Sequence, residues 1–210
     1  ELGYRLRCKL LPSTPETTDA AELFSLVLPN TRDAAWLAAL DAPTLARIEA
    51  LVAQRITSRQ PTAYLTGQAW LQGVPFFVDP RCIIPRSLIA EIIADGCADI
   101  WLDPQATRAW DLCTGNGSLA VLAAMAWPNL HITASDLSAD ALAVARINID
   151  QHGLQQRIDL LQGAGLEPAL AQGLRFDLIV CNPPYVNAQS MAALPAEFQA
   201  EPDLALAGGA

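Results

Sequence analysis

The 210-residue sequence has no long apolar run. Although 52% of it is hydrophobic, nothing approaches the ~18 uninterrupted apolar residues of a membrane span. No basic region followed by an apolar one stands at the front, so no secretory leader is expected. The chain opens on Glu1 rather than Met, compatible with a missing start. The five cysteines, Cys8, Cys82, Cys97, Cys113 and Cys181, contain no C-x-x-C pair, and there are only two histidines, His131 and His152. No metal site is therefore expected. Odd, scattered, mostly apolar-flanked thiols read as reduced core residues of a cytoplasmic protein. Cys113 and Cys181, at the ends of two expected strands, are not read as nucleophiles. Basic residues are few: residues 1–100 carry 9 against 11 acidic ones and residues 101–210 carry 4 against 11, giving −2 and −7 of the net −9. That balance disfavours a phosphate backbone as the main partner and suits a basic protein. Solubility alone would explain it equally well. No repeat or low-complexity segment is present.

Periodicity organises what is there. Thr44 to Ile56 is predicted to be a helix with Leu45, Ile48, Leu51, Val52 and Ile56 on one stripe, and Ala20–Leu28 and Ala34–Leu40 are shorter helical candidates. Ala69–Leu71 and Phe76–Val78, separated by four residues, read as a β-hairpin. A helix capped by Ser87 should carry Leu88, Ile89, Ile92 and Ile93. From residue 105 onward strands and helices alternate. Strands are expected near 108–113, 130–135, 157–162 and 175–181, with helices over Leu119–Ala126 and Ser138–Gln151 between them. This pattern predicts a parallel α/β sheet with right-handed crossovers, whose ligands bind beyond the carboxyl ends of the strands.

Three motifs fall at that edge. Asp111-Leu112-Cys113-Thr114-Gly115-Asn116-Gly117 joins a strand to a helix, where Gly115 and Gly117 would let the backbone approach a ligand. The third glycine of a dinucleotide fingerprint is missing, since Ala120 holds its place. No Lys-Ser/Thr follows, which excludes a P-loop. About 20 residues on, Asp136 ends the next strand, where an acid binds a ribose diol, and Leu137 follows it. The third motif is Asn182-Pro183-Pro184-Tyr185 after the strand ending at Cys181. The prolines end the strand and withhold N–H groups. A rigid amide, free carbonyls and an aromatic face remain, which suits a planar –NH2 group. Together the motifs read as an S-adenosyl-L-methionine pocket beside an amide-type acceptor. Its cofactor-side residues are Asp111, Thr114, Gly115, Asn116, Gly117, Asp136, Leu137 and Asn182.

On these residues the chain resembles the HemK-like protein-glutamine N5-methyltransferases. Pro61-Thr62-Ala63-Tyr64-Leu65-Thr66-Gly67, Val78 to Ser87 and Glu201-Pro202-Asp203-Leu204-Ala205-Leu206-Ala207-Gly208-Gly209 are similar to further segments of that family. The resemblance runs from about Arg55 to the last residue. Pro85-Arg86-Ser87 with Glu91, and Asp111 to Gly115, look most like its PrmB type, which methylates a glutamine of large-subunit ribosomal protein three. The sister type acts on the Gly-Gly-Gln motif of release factors.

The resemblance implies a class I methyltransferase (Rossmann-like) fold with a small N-terminal helical domain. Residues 1–62 would be a substrate-recognition domain, 63–86 a β-hairpin linker, and 87–210 a methyltransferase domain. It also implies roles. Asn182 and the Pro183 carbonyl would accept the two N–H bonds of the acceptor amide, stabilising charge that develops on nitrogen. Pro184 and Tyr185 would flank the glutamine, Asp136 would hold the ribose hydroxyls, and Arg86 would bind near the substrate, neutralise acid or fix the inter-domain loop. The family's sheet has seven strands in the order 3-2-1-4-5-7-6, of which four can be assigned, so the C-terminal strands are expected to be missing. Such a chain should expose the edge of its fourth strand, associate and have little activity. Gln162-Gly163-Ala164-Gly165 lacks the acid that often meets adenine after the third strand, so backbone groups or Leu166 would take that task. Two rivals are a nucleic-acid adenine N6-methyltransferase, disfavoured by the acidic balance, and a non-catalytic binding module.

Overall fold

The computed structural model describes residues 41–209. The helical candidates at 20–28 and 34–40 lie outside the described residues. The first described helix, α1 (Ala42–Ser58), starts where Asp41 accepts from the Thr44 N–H and stops at Arg59 in the left-handed region. Of the expected stripe, Ile48 is buried, Leu45, Leu51 and Val52 are partly covered, and Ile56 faces solvent. A short α2 (Thr62–Thr66) follows. Next come β1 (Gln68–Leu71) and β2 (Val74–Phe77), an antiparallel hairpin. Its loop is two residues, not four. Gln72 and Gly73 both have positive φ, the backbone of a tight turn matched to strand twist, so Pro75 falls inside β2 opposite Trp70.

After the hairpin, α3 (Leu88–Ala94) is capped by Ser87 as expected. Its buried residues are Ala90 and Ile93, while Leu88 and Ile92 are exposed. Ile89 and Ile93 of the expected stripe pack on the core with Ala90, and the other two do not. The central sheet holds β3 (Arg108–Leu112), β4 (His131–Asp136), β5 (Ile158–Gln162) and β6 (Leu178–Cys181). All pairs are parallel and the order is β5-β4-β3-β6. Between them run α4 (Ser118–Ala126), α5 (Ala139–Gln151) and α6 (Glu167–Ala171). The chain reverses direction across the sheet between β3 and β6, which makes their shared carboxyl end the crevice for a ligand. No strand pairs with the outer side of β6 among the described residues, and Ile179 on it is 51% exposed. After β6 come α7 (Ala188–Ala192), α8 (Ala196–Gln199) and α9 (Asp203–Leu206).

The core gathers around α4, β3 and β4. A second apolar group joins α2, the hairpin and α5. Asn148 of α5, fully buried, bridges the two. Its Oδ1 accepts from the Phe77 N–H at 2.7 Å, while its Nδ2 donates to the Phe77 carbonyl at 3.0 Å and the Asn116 carbonyl at 2.8 Å. One side chain thereby fixes the hairpin to the glycine loop.

Candidate active site

The loop between β3 and α4 is wired from within. Asp111 is fully buried. Its Oδ2 accepts from the Thr114 hydroxyl at 2.5 Å and from the Ala120 N–H at 3.0 Å. Burial pushes its carboxyl up to about 7 against those two donors, and the charge of Asp136 adds to the rise. Cys113, Gly115 and Gly117 all have positive φ, an alternation that turns successive backbone groups toward one side. The two glycines have different tasks. A Cβ on Gly117 would meet the Cβ of Ala145 at 3.1 Å, so its bareness serves the packing of α5. Gly115 sits next to Ile83, and its N–H donates to Asp136 Oδ2 at 2.9 Å.

Asp136 accepts a second bond on Oδ1 from the Ser138 N–H at 2.9 Å. It therefore holds the loop and caps the turn into α5, with one lone pair of each oxygen left over. Leu137 and Leu166, 52% and 51% exposed, follow β4 and β5 at the same sheet edge. Two polar atoms at the loop, Asp111 Oδ1 and Asn116 Nδ2, are buried without a partner.

These residues fit S-adenosyl-L-methionine. A carboxylate with spare acceptor capacity suits a ribose diol, a left-handed loop presents backbone groups, and exposed leucines offer an apolar wall. Leu112 pairs with Cys181 across β3 and β6. The loop and Asn182 therefore stand side by side, within about the 4.8 Å spacing of adjacent strands.

Asn182, half-buried, turns its Nδ2 to the Arg86 carbonyl at 3.5 Å. Its Oδ1 and the Pro183 and Pro184 carbonyls accept nothing among the described residues. Tyr185 is 77% exposed. Burial raises the Cys113 thiol to about 12, with the neighbouring Cys181 and Asp136 adding to it, and raises Cys181 as well. Neither is a thiolate nucleophile.

Arg86 is placed by its partners. Its guanidinium binds Glu201 at 2.7 Å and lies 4.8 Å over the Phe198 ring. The pairing neutralises a buried acid and fixes the loop that carries Arg86, two of the options the sequence left open.

The contacts of three residues escaped the sequence reading. Asn148 looks like any polar helix residue. Glu201 and Gly208 lie in a segment whose resemblance was visible but whose task was not. A Cβ on Gly208 would stand 2.8 Å from Tyr185 Cα and 3.0 Å from the Pro184 oxygen. The backbone there also pairs with Val186, whose N–H donates to the Leu206 carbonyl and whose carbonyl accepts from Gly208.

A parallel sheet with a glycine loop after one strand, an acid after its neighbour, and Asn-Pro-Pro-Tyr after the strand on the other side defines the class I S-adenosylmethionine-dependent methyltransferase fold. The chain belongs to the methyltransferase small domain family, whose model matches residues 99–207, just over half of it. A second family model, described as site-specific recombinase, matches residues 1–77, too small a share to assign the chain.

Among curated proteins, the ribosomal protein uL3 glutamine methyltransferase of Bordetella pertussis is 53% identical over 178 residues, covering 81% of this chain and 58% of the relative. The protein of the same name from Burkholderia pseudomallei is 51% identical over 167 residues, covering 77% and 54%. The chain thus spans about half the length of the curated relatives it matches. Among solved structures, the hMettl16 catalytic domain in complex with the MAT2A 3'UTR hairpin 6 aligns with a TM-score of 0.49 at 15% identity, over 80% of this chain and 58% of that one. So distant a likeness carries no argument about substrate.

Proposed function

We propose that the protein transfers a methyl group to the side-chain nitrogen of a glutamine in ribosomal protein uL3. One observation carries the reading: at the end of β6 an amide oxygen, Asn182 Oδ1, and a proline carbonyl stand beside the glycine loop with no partner among the described residues. Those two acceptors match the two N–H bonds of a primary amide. Relatives named for uL3 at 46–53% identity favour the ribosomal acceptor over a release factor.

S-adenosyl-L-methionine would supply an electrophilic methyl carbon on a sulfonium. Gly115, Asp136 and Leu137 would hold it, Asp136 through the lone pairs that Gly115 and Ser138 leave unused. The amide nitrogen is a poor nucleophile because its lone pair is shared with the carbonyl. Asn182 and the Pro183 carbonyl would draw on both N–H bonds as positive charge grows on nitrogen. They would therefore bind the transition state more tightly than the ground state. Tyr185, exposed, would cover the glutamine plane once the protein substrate docks. Residues 1–62 would serve as the recognition domain. The described part, α1, is already tied to the acceptor side, since Arg55 and Arg59 both pair with Glu197 of α8.

The test is transfer of labelled methyl into an extract lacking this activity, followed by mapping. Label on a glutamine of uL3 is expected. Label on a release-factor glutamine would move the acceptor, and label on adenine in nucleic acid would overturn the substrate class. No label together with no cofactor binding would favour the binding-module reading. No helix among the described residues is long and apolar enough to cross a membrane, and the acidic half of the chain suits a basic ribosomal protein.

A further inference from the structure

Glu201 stands outside every catalytic role so far, yet it is among the most constrained charges described. Its side chain is 2% exposed. One carboxylate oxygen accepts from the Ile84 N–H at 3.0 Å and the other from the Arg86 guanidinium at 2.7 Å. The partners lie 117 and 115 residues away in sequence. A buried carboxylate that keeps its charge needs such donors, because nothing else replaces its lost hydration. The strap it grips, residues 82–86, is held at its other end by Tyr64, whose hydroxyl donates to the Cys82 carbonyl at 2.5 Å. The charge of Glu201 joins burial in raising that phenol.

The strap ends on Asn182. Facing the Arg86 carbonyl, the Asn182 amide must present its –NH2, since the flipped amide would set oxygen against oxygen. This choice decides what the site can do. With Nδ2 toward Arg86, Oδ1 is left to accept an N–H. Flipped, the side chain would offer a donor to an incoming –NH2 group. The contact is long at 3.5 Å, as catalytic hydrogen bonds often are before substrate arrives, so its direction depends on where the strap places the carbonyl.

We infer that Glu201 is a positioning residue for Asn182. By locking Ile84 and Arg86 it aims the Arg86 carbonyl at the Asn182 –NH2 and leaves Oδ1 turned to the acceptor amide. This rests on the proposed function, because it assigns Asn182 the accepting role. It also gives the segment from Glu201 to Gly209 a task. Glu201 sets the strap, and Gly208 lets the same segment run against Pro184 and Tyr185 without a Cβ in the way.

The experiment is a cycle in the enzyme with labelled S-adenosylmethionine and uL3. Glu201→Gln keeps the shape and an acceptor for Ile84 but drops the charge. It is expected to lower kcat about tenfold, as a misaimed hydrogen-bonding group does, with cofactor affinity within about threefold by calorimetry. In an Asn182→Ala background the same change should cost less than about twofold, because the group it positions is gone. Arg86→Gln, which leaves Glu201 bonded to Ile84, should show the same non-additivity if Glu201→Gln does not fold. Unchanged kcat in Glu201→Gln, or a full further loss on top of Asn182→Ala, would overturn the positioning role while leaving the function intact. Unchanged transfer by Asn182→Ala alone would remove both.

Discussion

The two halves of the site are built in opposite ways. The cofactor side is local. The residues proposed to hold it lie between Asp111 and Ser138, on one β-α-β unit, and most of their hydrogen bonds stay inside it. Asn148, one helix further on, supplies the cross-brace. The acceptor side is assembled from three distant stretches: the strap at 84–86, the strand end at 182–185 and the segment 201–208. The loop of the first is mostly buried, while the strand end of the second leaves Tyr185 in solvent. A small cofactor needs a pre-formed crevice that one continuous motif can supply. The proposed protein substrate would need access, which an exposed rim braced from behind would give.

The comparison breaks if either half does the other's work. The largest effect is expected at Asn182: Asn182→Ala should cut methyl transfer by ~10²–10³, the usual loss for one group that stabilises transition-state charge. Cofactor affinity should stay within a few-fold. A parallel loss of affinity by calorimetry would show that the halves are not separate. Asp136→Ala should do the reverse and weaken cofactor binding by roughly 10–100-fold. It removes a charged acceptor from the ligand and frees the Gly115 N–H, at ~1.5–3 kcal/mol per charged bond. Affinity unchanged from the native protein would place the ribose elsewhere.

Two glycines sharpen the contrast. Gly208→Ala presses a methyl on the Pro184–Tyr185 backbone and should reduce transfer about tenfold with the cofactor still bound, since small displacements at a reacting site are costly. Gly117→Ala sets a methyl against Ala145 in a residue of positive φ. It should lower stability by ~1–3 kcal/mol, read in a denaturant midpoint. If both variants behave alike, the local and assembled halves are one unit.

Acid–base linkage marks the buried half as well. The native carboxyl of Asp111 sits near 7, above its ordinary 3.8, so between those values the folded protein holds a proton that the unfolded chain releases. Stability from this group is complete below about pH 4 and is lost as pH rises toward 7 and beyond. Asp79 and Glu197 are shifted downward, so their contribution appears above the carboxylate range and is lost as pH falls. Melting curves from pH 5 to 7 should therefore decline with pH in the native protein and flatten in Asp111→Asn. Equal slopes would show that Asp111 is charged in the fold. The smallest effect is expected from salt: the −7 balance of residues 101–210 should make kcat/KM toward a basic substrate fall modestly as ionic strength rises. A flat dependence would leave docking to apolar contacts.

The parallel sheet and the placing of three motifs at one strand edge were legible in the sequence. Periodicity marks buried strands, and Gly, Pro and Asn act through local backbone chemistry that needs no distant partner. The sequence marked a four-residue hairpin loop, where a two-residue turn at Gln72-Gly73 prevailed, and it gave no sign that Gly117 also packs on Ala145. Tertiary structure alone decided which way the Asn182 amide points, why Gly208 is bare and what Glu201 holds. Each depends on a contact between residues far apart in the chain. A carboxylate carries no sign in sequence of whether water or a strap 115 residues away will satisfy it.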